Sequence, residues 1–270
     1  MSRIATRFTE LQQNKRKALI PYITAGDPQP GVTVSLMHAM VKAGADIVEL
    51  GVPFSDPMAE GPVIQRAMER ALEHHVSLTD VLAMVAEFRQ QDNETPVLLM
   101  GYLNPVEVMG YATFAQAAAQ AGVDGVLIVD LPPEEADALL VELKQTGLDI
   151  VFLVSPTTDE QRIQKIAKVS SGFIYYVSLK GVTGAGHLDT DEVADRVNRI
   201  KAHSKLPVGV GFGIKDADSA ARVARVADAV VVGSALVKKV EETGGVADKL
   251  EEAISSLLAE IRAGIDTATN

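Results

Sequence analysis

Eight short apolar runs, rich in β-branched residues, recur along the chain, and the stretches between them follow the helical period. The runs are "ALIPYIT" (18–24), "DIVEL" (46–50), "PVLLMG" (96–101), "DGVLIVD" (124–130), "DIVFLV" (149–154), "FIYYVS" (173–178), "LPVGVGFG" (206–213) and "DAVVVGS" (228–234). Strands this continuously apolar are buried on both faces, as in parallel sheets covered by helices. Segments such as "VTVSLMHAMVKAG" and "YATFAQAAAQAG" supply the helices, each closing on a glycine suited to a helix C-terminus. Roughly eight β/α units in about 250 residues is the size of a closed (β/α)8 barrel. An open doubly wound sheet would more often carry G-x-G-x-x-G after its first strand; here that strand runs into "AGDPQPG". The expected fold is α/β, a single (β/α)8 TIM barrel over residues 1–270, with no Gly/Ser/Pro-rich linker to divide it. Ile4, Phe8 and Leu11 stand at helical spacing and predict an N-terminal capping helix. The second unit carries an extra helix: one over 62–73, then a capping-box-like start at Ser77 and another to about 91.

The charge balance narrows the function. With 25 basic and 36 acidic residues the chain carries −11, which argues against a nucleic-acid binder, whose affinity rests on a basic surface. Any phosphate site is then a local device rather than a global field. No apolar stretch reaches the roughly 18 residues of a membrane span, and cysteine is absent, so disulfides and thiolate metal sites are excluded. A cytoplasmic protein is expected.

The chemistry concentrates in "ELGVPFSDPMAEGPVIQ" (49–65). In a barrel of this kind catalytic groups lie where strands end and βα loops begin. Glu49 stands near the end of the second strand between Val48 and Leu50. A charged residue there is costly unless paired or functional: it is either a structural ion-pair partner or a general acid/base with its pKa raised by desolvation. Asp56 and Glu60 follow in a loop stiffened by Pro53, Pro57 and Pro62, with Pro62 suited to a helix's first turn. Loop acids are commonly caps or solvated residues, yet this loop is placed to fold back over the strand end.

Glycines mark three consecutive strand ends: "GVTGAG" (181–186), "GFGI" (211–214) and "VGSA" (232–235). Glycine lets backbone N–H groups approach an anion, and the loops after strands seven and eight recurrently bind phosphate in barrels. Strand-end apolar groups Tyr22, Met100, Tyr102, Leu127, Val129, Leu153, Tyr175, Phe212 and Val231 are core in any fold, and together they can also wall a flat apolar ligand. The strands hold no lysine for a Schiff base, and the five histidines lack metal-ligand spacing. Carboxylate acid/base catalysis on a phosphorylated, partly apolar substrate, without a cofactor, is what remains.

These motifs resemble one family closely, the α subunit of tryptophan synthase. "PYITAGDP", "ELGVPFSDPMAEGPVIQ", "LMGYLNP", "GVDGVLIVDLPPEE", "SLKGVTGAG", "GVGFGI" and "VVVGSALV" carry the resemblance in order over the whole chain. It implies a barrel that cleaves indole-3-glycerol phosphate to indole and glyceraldehyde 3-phosphate. It implies that Glu49 protonates indole C3 and that the acid at 60 faces the indole nitrogen. The apolar residues above would then hold the ring, with Thr183 on a closing loop. Gly184, Gly213, Gly233 and Ser234 would bind phosphate. It also implies an α2β2 complex with a pyridoxal-phosphate β subunit, met by the loops containing Pro53, Asp56 and residues 178–191. One departure stands out: the family usually has aspartate where this chain has Glu60. A free-standing indole-releasing lyase, a degenerate regulatory barrel and another phosphosugar barrel are the competing expectations.

Overall fold

Ser2 starts the chain's first helix: its hydroxyl accepts from the Ala5 N–H at 3.2 Å, capping α1 (Arg3–Gln13). The face of α1 bearing Ile4, Phe8 and Leu11 is buried, as their spacing predicts. In this computed structural model, which describes residues 2–177, 190–211, 213–244 and 247–268, that face closes the N-terminal end of a ring of parallel strands.

The strands are β1 (Ala18–Thr24), β2 (Val48–Gly51), β3 (Val97–Gly101), β4 (Gly125–Ile128), β5 (Asp149–Ile150), β6 (Leu153–Val154), β7 (Ile174–Val177), β8 (Val208–Gly211) and β9 (Ala229–Val232). They lie in the order β5-β4-β3-β2-β1-β9-β8-β7-β6, and every pairing is parallel. β5 and β6 are two halves of one stave, the expected run 149–154. Between them the Val151 N–H still donates to Val126 O at 2.9 Å, while Phe152 O accepts from the Tyr175 N–H at 3.1 Å. The fifth stave thus joins β4 to β7, and the barrel closes with eight staves.

Alternation along each strand sorts the core into two shells. Ile20, Ile47, Leu98, Leu127, Val151, Phe173 and Val231 form one cluster with Ile4, Phe8 and Leu11 of α1, and fill the interior. Val48, Leu50, Val97, Leu99, Val126, Val208 and Val230 belong to a second cluster shared with the surrounding helices.

Those helices are α2 (Thr33–Lys42), α3 (Pro62–Glu73), α4 (Leu78–Phe88), α5 (Leu103–Met109), α6 (Tyr111–Ala121), α7 (Asp137–Thr146), α8 (Glu160–Val169), α9 (Thr190–His203), α10 (Ala217–Ala224), α11 (Ser234–Thr243) and α12 (Ala247–Thr267). The doubled second unit is α3 and α4. Ser77 and Asp80 complete the expected capping box, but α4 ends at Phe88, short of the expected 91. α5 is an element the β/α count does not anticipate; its Pro105 sits in the first turn, where a missing N–H breaks no helical bond. None of the helices in the described residues is long and apolar enough to cross a membrane.

At the N-terminal end two buried ion pairs tie helices to strand starts. Arg89 donates to Asp124 at 2.7 Å, and Arg262 to Asp46 at 2.9 Å. Each aspartate also accepts a strand N–H, Val97 and Leu19 respectively. Conserving geometry at this end serves stability, and it leaves the opposite rim free for chemistry.

Candidate active site

Glu49 is third from the end of the 46–51 run, and its neighbours Val48 and Leu50 face the helices. Alternation therefore turns Glu49 inward, near the C-terminal mouth of the barrel. It is 1% exposed, and one carboxyl oxygen, Oε1, has no hydrogen-bond partner among the described residues. A carboxylate so placed is strongly disfavoured. Burial first, and then the neighbouring charge of Glu60, push the Glu49 pKa up to about 8. Burial pushes Glu60 up to about 7. At neutral pH Glu49 therefore holds a proton while Glu60 is on the point of losing one.

The Glu60 carboxyl faces the same mouth. Its charge raises not only Glu49 but also Tyr22 and Tyr175, after burial as the larger cause for each. Its loop is held from below by Tyr102, whose hydroxyl accepts the Ala59 N–H at 3.0 Å and whose ring stacks on Phe54 at 4.9 Å.

Tyr22 links the acid to the start of α11. It pairs in register with Glu49, and its hydroxyl meets Thr24 Oγ1 at 3.1 Å. Its ring lies beside Gly233, within van der Waals reach of where a Cβ would stand. It packs with Ala67 of α3 and Val237 of α11. β1 lies between β2 and β9, so Glu49 and Gly233 are two strand spacings apart, roughly 10 Å. One small molecule spans that distance. Gly233 precedes α11, whose N-terminus has no side-chain cap among the described residues and begins with exposed Ser234; the Leu236 N–H donates to Gly233 O, while the N–H groups of Ser234 and Ala235 at the helix start are of the kind that can hold an anion.

Tyr175 is admitted to the mouth by glycine. A Cβ at Gly211 would overlap the Tyr175 hydroxyl, just as one at Gly51 would overlap that of Tyr22. Met100, Leu127, Val129, Leu153, Tyr175 and Val231 line one interior surface. Tyr102, also expected as wall, is buried just beyond β3 and braces the acid loop. Gly213 is exposed just beyond β8, Asp56 is exposed, and Pro53 is buried within the chain. Thr183, Gly184, Phe212 and most of 178–191 lie outside the described residues. Phe54 and Gln65 carry no sequence signal: Phe54 acts through a long-range ring contact to Tyr102, and Gln65 through side-chain bonds to loop carbonyls that no periodicity marks.

A family model described as "Tryptophan synthase alpha chain" matches residues 8–268. The chain belongs to this family. It is similar to the tryptophan synthase alpha chain of Thioalkalivibrio sulfidiphilus, at 65% identity over 98% of this chain and 100% of that one. The crystal structure of tryptophan synthase subunit alpha from Legionella pneumophila superposes with a TM-score of 0.92 at 52% identity, over 99% of each chain. A chain of aminoacrylate-bound tryptophan synthase from M. tuberculosis gives 0.87 at 37%, over 98% of this chain and 100% of that one. The function is the α reaction of L-tryptophan biosynthesis, and the free-standing and degenerate readings are not favoured.

The close approach at Gly211 makes a test. Gly211→Ala displaces Tyr175 from the mouth and lowers turnover by about a hundredfold, the cost of an ångström-scale misplacement; steady-state indole release measures it.

Proposed function

We propose that this chain is a carbon–carbon lyase that cleaves indole-3-glycerol phosphate, with Glu49 as the proton donor and acceptor and Glu60 as the partner of the indole nitrogen. The observation that supports this most is Glu49 itself: an inward, solvent-free carboxyl with one oxygen unpaired among the described residues, facing a second acid, two strands from the start of α11.

The steps balance on those two groups. Protonated Glu49 delivers its proton to indole C3, and the ring takes up the positive charge at its nitrogen, beside ionised Glu60. Glu49, now a carboxylate, removes the proton from the glycerol hydroxyl adjacent to the ring. The carbon–carbon bond breaks, its electrons restore the indole, and an aldehyde leaves as glyceraldehyde 3-phosphate. Glu49 ends protonated, as it began. The ring is its own electron sink, so the reading draws on no cofactor of this chain. Met100, Leu127, Val129, Leu153, Tyr175 and Val231 hold the ring, with Tyr22, Tyr102, Thr183 and Phe212 around it. Gly184, Gly213, Gly233 and Ser234 hold the phosphate.

The same reading places a tryptophan synthase β subunit, carrying pyridoxal phosphate, over the loop after β2 in an α2β2 complex. Asp56 is exposed there, and Met58 on the same loop is 85% exposed. A bare methionine beside a charge suits a partner surface better than open solvent.

The reaction requires Glu49 protonated and Glu60 ionised, which fixes the sign of its pH dependence. Turnover rises as Glu60 ionises through about 7 and falls as Glu49 loses its proton through about 8. The bell has its maximum between those values, and Glu60→Gln removes its acidic limb. The direct experiment supplies indole-3-glycerol phosphate to the purified chain and quantifies indole with and without the β subunit. Release that the β subunit accelerates supports both parts of the reading; no release in either arm overturns the first.

A further inference from the structure

The loop bearing Glu60 turns on itself, the Glu60 N–H donating to Pro57 O at 3.0 Å, and side chains anchor it at three points. Two involve Tyr102, through the Phe54 ring and the Ala59 N–H, and they stop one residue short of Glu60. The third is Gln65 on α3, whose side-chain amide donates to Glu60 O at 2.9 Å and to Pro57 O at 3.4 Å. Gln65 is itself seated in the helix, its own N–H donating to Gly61 O at 3.0 Å. Between Glu60 and the helix lies only Gly61, an N-cap with no side-chain hydrogen bond. Without the amide, the Glu60 carbonyl would lose its tie to α3, leaving the residue held through its N–H to Pro57 O on one side and hinged on a glycine on the other.

We propose that Gln65 is a positioning residue for Glu60, gripping that residue's own carbonyl and so fixing how far the longer carboxylate reaches into the barrel mouth. The inference rests on the acid/base reading above and deepens it. Glutamate has one more rotatable bond than aspartate, and a group misplaced by about 1 Å costs roughly a hundredfold in rate. A long side chain works in this position when its origin is held, and Gln65 holds it. Among the described residues the amide donates to backbone carbonyls and to none of the side chains assigned to the reaction, so its effect passes through Glu60.

A double-mutant cycle decides between this and a merely structural brace. Wild type, Gln65→Met, Glu60→Gln and the double variant are compared by single-turnover indole release with enzyme in excess, which resolves slow variants. Methionine keeps the volume and removes the donor. The expected result is a loss of about tenfold in the chemical rate for Gln65→Met, with KM changed less than threefold. In the Glu60→Gln background the same substitution costs less than twofold. An unchanged rate in Gln65→Met overturns the proposal, and so does an equal loss in both backgrounds, which is what a general loosening of α3 would give. Failure of the wild type to release indole would count against the acid/base reading instead.

Discussion

Replacing Glu49 with glutamine reduces indole release by about 10³–10⁴-fold, the upper range for removing a general acid/base. The effect is large because one carboxyl serves twice, giving a proton to the ring carbon and taking one from the hydroxyl. Glutamine keeps the shape and hydrogen-bonding capacity but exchanges no proton, so KM changes little. Indole formation under saturating substrate measures the loss. Retention of more than a tenth of wild-type turnover would show that the inward carboxyl is only structural.

The same substitution makes the protein more stable, by an amount that depends on pH. The Glu49 pKa is raised from 4.5 to about 8 in the folded state, so across that window the native chain holds a proton the unfolded chain has lost. Stability therefore falls as pH rises from about 4.5 to about 8, by up to about 1.4 kcal/mol per pH unit. Glutamine has no such slope. Glu49→Gln is expected to exceed wild type by on the order of 3–5 kcal/mol at pH 8, with the gap closing below about pH 4. Urea unfolding at several pH values reads it. A gain in stability with a loss of activity is the pattern of a group kept for chemistry against the interest of the fold.

How much of this was legible beforehand follows from which interactions are periodic. The staves announce themselves because a strand buried on both faces must be apolar throughout; the inward direction of Glu49 comes only with the structure, where Val48 and Leu50 take the opposite face. The doubled second unit was readable from Ser77. The break between β5 and β6 was not, since residues 149–154 are uniformly apolar after Asp149 and the ladder hydrogen bonds persist across it. α5 escapes the sequence pattern because "LNPVEVM" is short and carries, directly after Leu103, an asparagine–proline pair that reads as a turn. Tyr102 reads as one more aromatic in a ligand wall; its hydroxyl contact to Ala59, 43 residues away in sequence, gives it a further part as a brace of the acid loop. Phe54 and Gln65 were invisible for the same reason. Phe54 acts through one long-range ring contact and Gln65 through two loop contacts, which leave no period to detect.

The central claim is that a carboxyl at the barrel mouth stays protonated at neutral pH. Carbon-13 NMR of glutamate-labelled protein, with the Glu49 signal assigned by its loss in Glu49→Gln, tests this without reference to turnover. A side-chain carboxyl resonance that titrates near pH 8, and shifts downward in Glu60→Gln as the neighbouring charge is removed, is the predicted result. A Glu49 signal that titrates between about 4 and 5, like an ordinary exposed glutamate, would contradict it.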